Sequence, residues 1–270
     1  MAALRFTLRE PPPQRVDLSV LVPARLAGLD RAAIERLPIQ TTRAALAVGD
    51  LFRVRGDDPR SIVIAGGSAR FDRVGAGIEN GALLVEGAAG ACAGRGMRGG
   101  RLEIRGDVGP FAGSAMRGGE IEIAGDAGDC LGGPLAGEVA GMAGGMLVVR
   151  GRAGAQAGDR LRRGLIVVEG GAGEAPGSRM IAGTLIVCAS CGALPGILMR
   201  RGTLVLGAAA ALTPSFAAAG GADPVFVRLL ARAVGAVSGP AARLLGRPLA
   251  RFTGDNATLG RGEILLPVAA

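Results

Sequence analysis

The sequence predicts an all-β protein: a β-helix (solenoid) of coils about 19 residues long, with a short N-terminal cap and a C-terminal helix. Three observations carry this expectation. Glycine supplies 48 of 270 residues while 49 % of the chain is apolar, and disordered chains lack such apolar content. Glycine does not recur at every third position, so the chain is not collagen-like. Segments beginning at Ala82, Arg101, Glu120, Met146, Leu165, Thr184 and Thr203 align with one another at steps of 19 residues, with one step of 26.

At the N-terminal end, Leu4–Leu8 and Val16–Val20 alternate as strands. Asp30 is placed to cap a helix over Arg31–Leu37 that stops at Pro38. Residues 50–60 read as a truncated repeat, and a 21-residue unit begins near Ser61. These boundaries give a cap over 1–60, repeats over 61–220, and a C-terminal helix with a Gly-rich tail over 221–270.

Within each unit, positions 2 and 4 are aliphatic, as in Leu83/Val85, Leu102/Ile104 and Ile166/Val168. That is a short strand with one face inward. Positions 6, 9, 13 and 19 favour glycine, as at Gly106, Gly109, Gly113 and Gly119, which suits coil corners with positive φ or close backbone approach. Position 16 is Met or Leu: Met97, Met116, Met142, Leu161, Met180, Met199. Positions 2, 4 and 16 are expected to form three interior ladders, with the thioethers filling an irregular core. The long step is a seven-residue insertion around Leu131–Glu138.

Solenoids need closing at both ends. After the repeats, Asp223-Pro224 starts a helix over Pro224–Val237, ended by Ser238-Gly239-Pro240. Its apolar set, Val225, Phe226, Leu229, Leu230, Ala233, Val234 and Val237, needs a surface to cover. Position 3 of the repeats points outward and offers one. It is Glu103 and Glu122 in early units, but Val148, Val167, Ile186 and Val205 in later ones. That ladder is covered either by this helix or by another subunit.

Composition excludes much chemistry. The chain has no His, Trp or Tyr, and all 31 basic residues are Arg. It can build no Ser-His-Asp triad, His-ligated zinc, Schiff base or Walker-type phosphate loop. The net charge of +8 is spread along the chain, and with seven Phe as its only aromatic residues it does not fit nucleic-acid binding. No signal peptide or membrane-length apolar run is visible, so cytoplasmic location is the expectation. Cys188-Ala-Ser-Cys191 lacks the second pair of a zinc site. Cys92 and Cys130 recur at position 11, two coils apart, and all four read as reduced packing thiols. Asp255 and Glu263 could be imagined as an acid–base pair. The simpler reading has Asp255 capping a turn and Glu263 pairing with an Arg.

The units Gly94-Arg-Gly-Met97-Arg-Gly-Gly100 and Gly113-Ser-Ala-Met116-Arg-Gly-Gly119, the inserted unit ending Gly137-Glu-Val-Ala-Gly-Met142-Ala-Gly-Gly145, and the tail Phe252–Ile264 carry a resemblance. The chain resembles the C subunit of formylmethanofuran dehydrogenase and of the bacterial formyltransferase/hydrolase complex. These proteins are similar to the C-terminal β-helix of the glutamate synthase large subunit. The likeness covers almost the whole chain and implies a right-handed β-helix. It implies a non-catalytic scaffold whose partners are an amidohydrolase-like A, a B and a formyltransferase D. In the bacterial complex these convert formyl-tetrahydromethanopterin to formate through formyl-methylofuran, in methylotrophic one-carbon metabolism. The all-Arg, Ala-rich composition favours that complex over the archaeal tungsten or molybdenum iron–sulfur dehydrogenase. An independent carbohydrate-active β-helix enzyme would show a carboxylate cluster on one sheet, and none is evident.

Position 17 carries Arg98, Arg117, Arg162 and Arg200, interrupted by Ala143 and Ile181. As a stripe on one edge these could be solvated surface, contacts between subunits, or bidentate carboxylate recognition. The resemblance supplies a ligand, because methylofuran carries a glutamate chain. These four Arg are therefore the candidate cofactor-contact residues. No covalently bound cofactor, metal, membrane or nucleic acid is expected.

Overall fold

Strands return at a fixed interval, and that interval organises the molecule. The computed structural model describes residues 2–41, 43 and 45–268. The N-terminal elements are β1 (Ala3–Leu8), β2 (Val16–Asp17), α1 (Pro23–Leu26), α2 (Arg31–Glu35), β3 (Pro38–Thr41), β4 (Leu46–Ala47), α3 (Val48–Leu51) and β5 (Phe52–Arg55). The repeats contribute β6 (Asp58–Ala65), β7 (Phe71–Asp72), β8 (Ala82–Val85), β9 (Arg98–Ile104), β10 (Arg117–Ile123), β11 (Ala143–Val149), β12 (Arg163–Val168), β13 (Thr184–Val187) and β14 (Arg201–Leu206). The chain ends with β15 (Ala217–Gly221), α4 (Pro224–Gly235), α5 (Gly239–Leu245), β16 (Leu249–Gly254) and β17 (Arg261–Pro267). The protein is mostly β, dominated by a 13-stranded sheet ordered β15-β16-β17-β14-β13-β12-β11-β10-β9-β8-β6-β1-β5.

From β8 to β14 each repeat strand pairs parallel with the next, in the register that the repeats dictate. Leu83 lies opposite Leu102, Leu102 opposite Ile121, and Ile121 opposite Leu147 across the insertion. A second ladder runs through position 8, where Ala89, Val108, Ala127, Ala153, Ala172 and Cys191 form successive parallel bridges. Inside lie the three expected ladders. The aliphatic residues at positions 2 and 4, and the Met/Leu residues at position 16, are at most 1 % exposed from Leu83 to Leu206. Burial of this kind contributes roughly 25 cal/mol per Å2 of apolar surface.

The corner glycines meet both of the needs expected of them, positive φ and close backbone approach. Those at positions 13 and 19, such as Gly113 (φ +71) and Gly119 (φ +85), have positive φ. Those at positions 6 and 9 do not. Gly109 is required because a Cβ there would sit 2.8 Å from the Ala91 nitrogen and 2.8 Å from the Gly90 carbonyl carbon. Positive φ also falls on non-glycine residues at position 11, among them Cys92, Phe111 and Cys130.

Helix α4 packs over the outward apolar ladder. Val148, Val167, Ile186 and Val205 form one buried cluster with Val227, Val234, Leu244 and Leu245. The expected single apolar stripe on α4 is divided, however. Val227 and Val234 are buried, while Val225, Phe226 and Leu229 face solvent. α4 ends at Gly235, two residues before the expected Val237, and Ser238-Gly239-Pro240 then starts α5, which was not expected, with the Ser238 hydroxyl accepting from the Ala241 N–H. Where the ladder changes from Glu to Val, Arg150 donates to Glu122, Glu169 and the Val237 carbonyl. Ser238 donates to Glu169 as well. This network ties the α4–α5 junction to the sheet.

At the other end the N-terminal elements and the repeats share one core. Residues 50–60 are not a truncated repeat. β5 runs antiparallel to β1, and β1 lies parallel to β6, so both extend the repeat sheet. Phe52 stacks edge-on against Phe6 at 6.0 Å and lies 5.7 Å from Phe71, closing the interior. The Val16–Val20 strand is shorter than expected, ending at Asp17. The Asp30 cap forms as expected, its carboxylate accepting from the Ala33 N–H.

Candidate functional site

The arginine edge follows from the methionine ladder beside it. Each position-16 side chain is buried, so the next residue turns outward. The N–H groups of Arg98, Arg117, Arg162 and Arg200 donate to the carbonyls of Ile78, Met97, Met142 and Met180 of the preceding units, at 2.7–2.9 Å. Ala143 and Ile181 occupy the gaps with the same backbone bonds. The four Arg therefore share one edge, and all are exposed. Arg98 and Arg117 are on adjacent units, about 4.8 Å apart along the stack, while the later gaps span two units.

Arg98 pairs with Glu79 at 3.2 Å, both largely exposed. Such pairs contribute at most about 1 kcal/mol. Among the described residues, Arg117, Arg162 and Arg200 make no ion pair or side-chain hydrogen bond. Their guanidiniums are open to carboxylates from outside the chain.

Two further arginines join this edge that sequence reasoning passed over. Arg160 and Arg179, at position 15, line a groove of about 640 Å3 with Arg200, Ile181, Leu198 and Val139. Arg160 donates to the Glu138 carbonyl at 2.9 Å. Arg179 is held bidentate by the nearly buried Asp159, which also accepts from Ser178. Residues 15 and 17 of a unit are two apart and emerge on one side here, but position 15 does not repeat arginine and so gave no signal in the sequence. Thus the structure groups Arg200 with Arg160 and Arg179 rather than in an unbroken line with Arg98 and Arg117.

The inserted segment forms one wall of this groove. Glu138 fastens it, accepting from Arg95 through both oxygens and from the Leu135 N–H. The Arg95 hydrogen bond holds the Glu138 carboxyl below its ordinary value and raises Arg95 above its own.

The imagined acid–base pair in the tail is not brought together as one. Asp255, 2 % exposed, accepts from the Leu198 and Ala257 N–H groups. Burial pushes its pKa up, but hydrogen bonds from Ser215, Ala257 and Leu198 outweigh that and hold it low. It is a turn cap, as expected. Glu263 accepts from the Thr203 hydroxyl at 2.7 Å, where an Arg partner was expected. All four cysteines are free, and burial raises every thiol, Cys188 to about 12. Among the described residues no group of three or more Cys, Asp or Glu could hold a metal ion, and no helix is long and apolar enough to cross a membrane.

No family model matches the chain. Over 90 residues it is 47 % identical to the C subunit of the formyltransferase/hydrolase complex from Methylorubrum extorquens, a stretch spanning 33 % of each protein. A chain in the crystal structure of that organism's formyltransferase/hydrolase complex, solved with methylofuran, is 45 % identical. It superposes with a TM-score of 0.94 over 98 % of this chain and 100 % of its own length.

Proposed function

The chain belongs to the family of formyltransferase/hydrolase complex C subunits, and from this we propose that it works as the C subunit of such a complex. In that role it joins A, B and D partners that pass a formyl group from tetrahydromethanopterin to methylofuran and release formate, in the cytoplasm. The observation that carries this is the 45 % identity sustained over 98 % of the chain at a TM-score of 0.94.

Within that complex we assign this chain no chemistry of its own. It has no imidazole or amine side chain. Its enclosed carboxylates, Asp159 and Asp255, are committed to fixed donors. Its thiols are held protonated by burial. The repeats read as a right-handed β-helix over 61–220, capped by 1–60 and by 221–270. The parallel register and the position-8 bridges support this winding, and right-handed crossovers are the rule for parallel strands. A stiff body of this kind suits the holding of active-site subunits at fixed separation.

The exposed edge of Arg98, Arg117, Arg162 and Arg200 is proposed to engage the glutamate chain of methylofuran, joined by Arg160 at the groove. Three of the four lack an acidic partner among the described residues. The test changes all four to Gln in the assembled complex and measures methylofuran retention against ionic strength. Weaker retention with a flatter salt dependence is expected, since fewer charge contacts remain. Unchanged retention would assign these arginines to solvation, and a complex that no longer assembles would assign them to contacts between subunits.

A further inference from the structure

Strand β15 is a bare edge of the large sheet. Its residues, Ala-Ala-Ala-Gly-Gly, pair with β16 on one side. All but Ala219 are exposed. The opposite edge, β5, shows Arg53 and Arg55 to solvent, a usual guard against strand addition. β15 carries no charge, no proline and no large side chain. Directly after it, α4 exposes Val225 (54 %), Phe226 (37 %) and Leu229 (61 %) on adjoining turns. Single exposed apolar residues are ordinary, but a group of them beside an open strand edge marks a contact surface. The same helix exposes Arg228 and Arg232. The nearest carboxylate in sequence, Asp223, is held by the Val225 and Phe226 N–H groups.

We propose that β15 and the outer face of α4 form a docking site for an extended, acidic segment of another protein of the complex. The segment adds as a strand to β15, and the small side chains of that edge admit its close approach. Its backbone bonds the open N–H and C=O groups, its apolar side chains cover Val225, Phe226 and Leu229, and its carboxylates meet Arg228 and Arg232. A second copy of this chain fits worse. It would bring the same arginines together, and each chain has a net charge of +8. The proposal rests on the C-subunit reading above.

The experiment compares hydrogen exchange of residues 216–222 in the free chain and in the complex co-expressed with the other subunits. Docking slows exchange of β15 at least tenfold on assembly. Ala218→Glu and Leu229→Glu, both at exposed sites, weaken assembly at least tenfold while the free chain melts as wild type. If the wild-type complex forms and β15 exchanges at the same rate as in the free chain, the docking site is refuted and the C-subunit reading stands. A wild-type chain that does not assemble overturns both. A free chain that is already a dimer, made monomeric by Ala218→Glu, identifies a second copy as the occupant and also refutes the proposal.

Discussion

Replacing Gly109 by Val would place a Cβ 2.8 Å from the Ala91 nitrogen, 2.8 Å from the Gly90 carbonyl carbon and 3.0 Å from the Gly90 oxygen. All three are backbone atoms of the preceding unit and cannot swing aside. Ordinary contact begins near 3.4 Å, so adjacent units must part by about half an ångström. The Gly109 N–H would then lose its 3.1 Å bonds to the Ala89 and Gly90 carbonyls. Overpacking costs about 1–3 kcal/mol and a stretched hydrogen bond about 1 more. Neighbouring units share one core, so the damage spreads along the stack. A loss of about 3 kcal/mol lowers Tm by roughly 6–12 °C in a chain of this size. Gly96→Ala is the internal control. Gly96 has φ +67 but nothing within 4 Å of its Cβ position, and the equivalent residues Ala115, Arg160, Arg179 and Leu198 already sit at positive φ. Its cost should stay near 1 kcal/mol. Thermal melts of both variants decide the matter. Gly109→Val within a degree of wild type, or Gly96→Ala the more damaging of the two, would refute close approach as the reason for the position-9 glycines.

Other expected outcomes follow from the same geometry. Asp255 has a lowered pKa, so its stabilisation is complete above the ordinary carboxylate value and fades as pH falls through the lower folded value. Asp255→Asn should therefore lower Tm at pH 7 and flatten the acid limb of a Tm–pH curve; an unchanged curve would contradict the capping role. Glu138→Gln should loosen the inserted segment at a cost of about 1 kcal/mol, read as faster hydrogen exchange over 131–141, and exchange at the wild-type rate would leave the Arg95–Glu138 pair without a holding role. With the Cys188 thiol at about 12, its alkylation by iodoacetamide at pH 8 should run roughly 1,000-fold slower than for a free thiol. Rapid labelling there would show that the site under α5 opens readily.

The repeats were legible because one 19-residue period places like residues at like positions, and a shared interior needs apolar side chains at positions 2, 4 and 16. The switch from Glu122 to Val148 on the outer face was legible too, since an uncovered apolar ladder is unstable, and α4 lies over it. What escaped depends on contacts distant in sequence. The pairing of β1 with β6 and β5 leaves no periodic trace. Ser238-Gly239-Pro240 reads as a stop by composition, yet serine as N-cap and proline in the first turn equally begin a helix. Gly109 and Gly113 look alike in sequence, but one answers to a neighbour's backbone and the other to its own φ. At the candidate site the position-17 arginines were legible by repetition. Arg160 and Arg179 were not, because position 15 elsewhere holds Gly96, Ala115 and Leu198 and shows no arginine pattern.

The C-subunit assignment is tested most directly by co-expressing the tagged chain with the A, B and D subunits of its own host and assaying formyl transfer and hydrolysis for the chain alone and for the purified assembly. The expected result is a stable complex that contains this chain, turns over formyl-tetrahydromethanopterin to formate, and leaves the isolated chain without turnover. A chain that purifies alone, or that catalyses either step unaided at the rate of the complex, would contradict it.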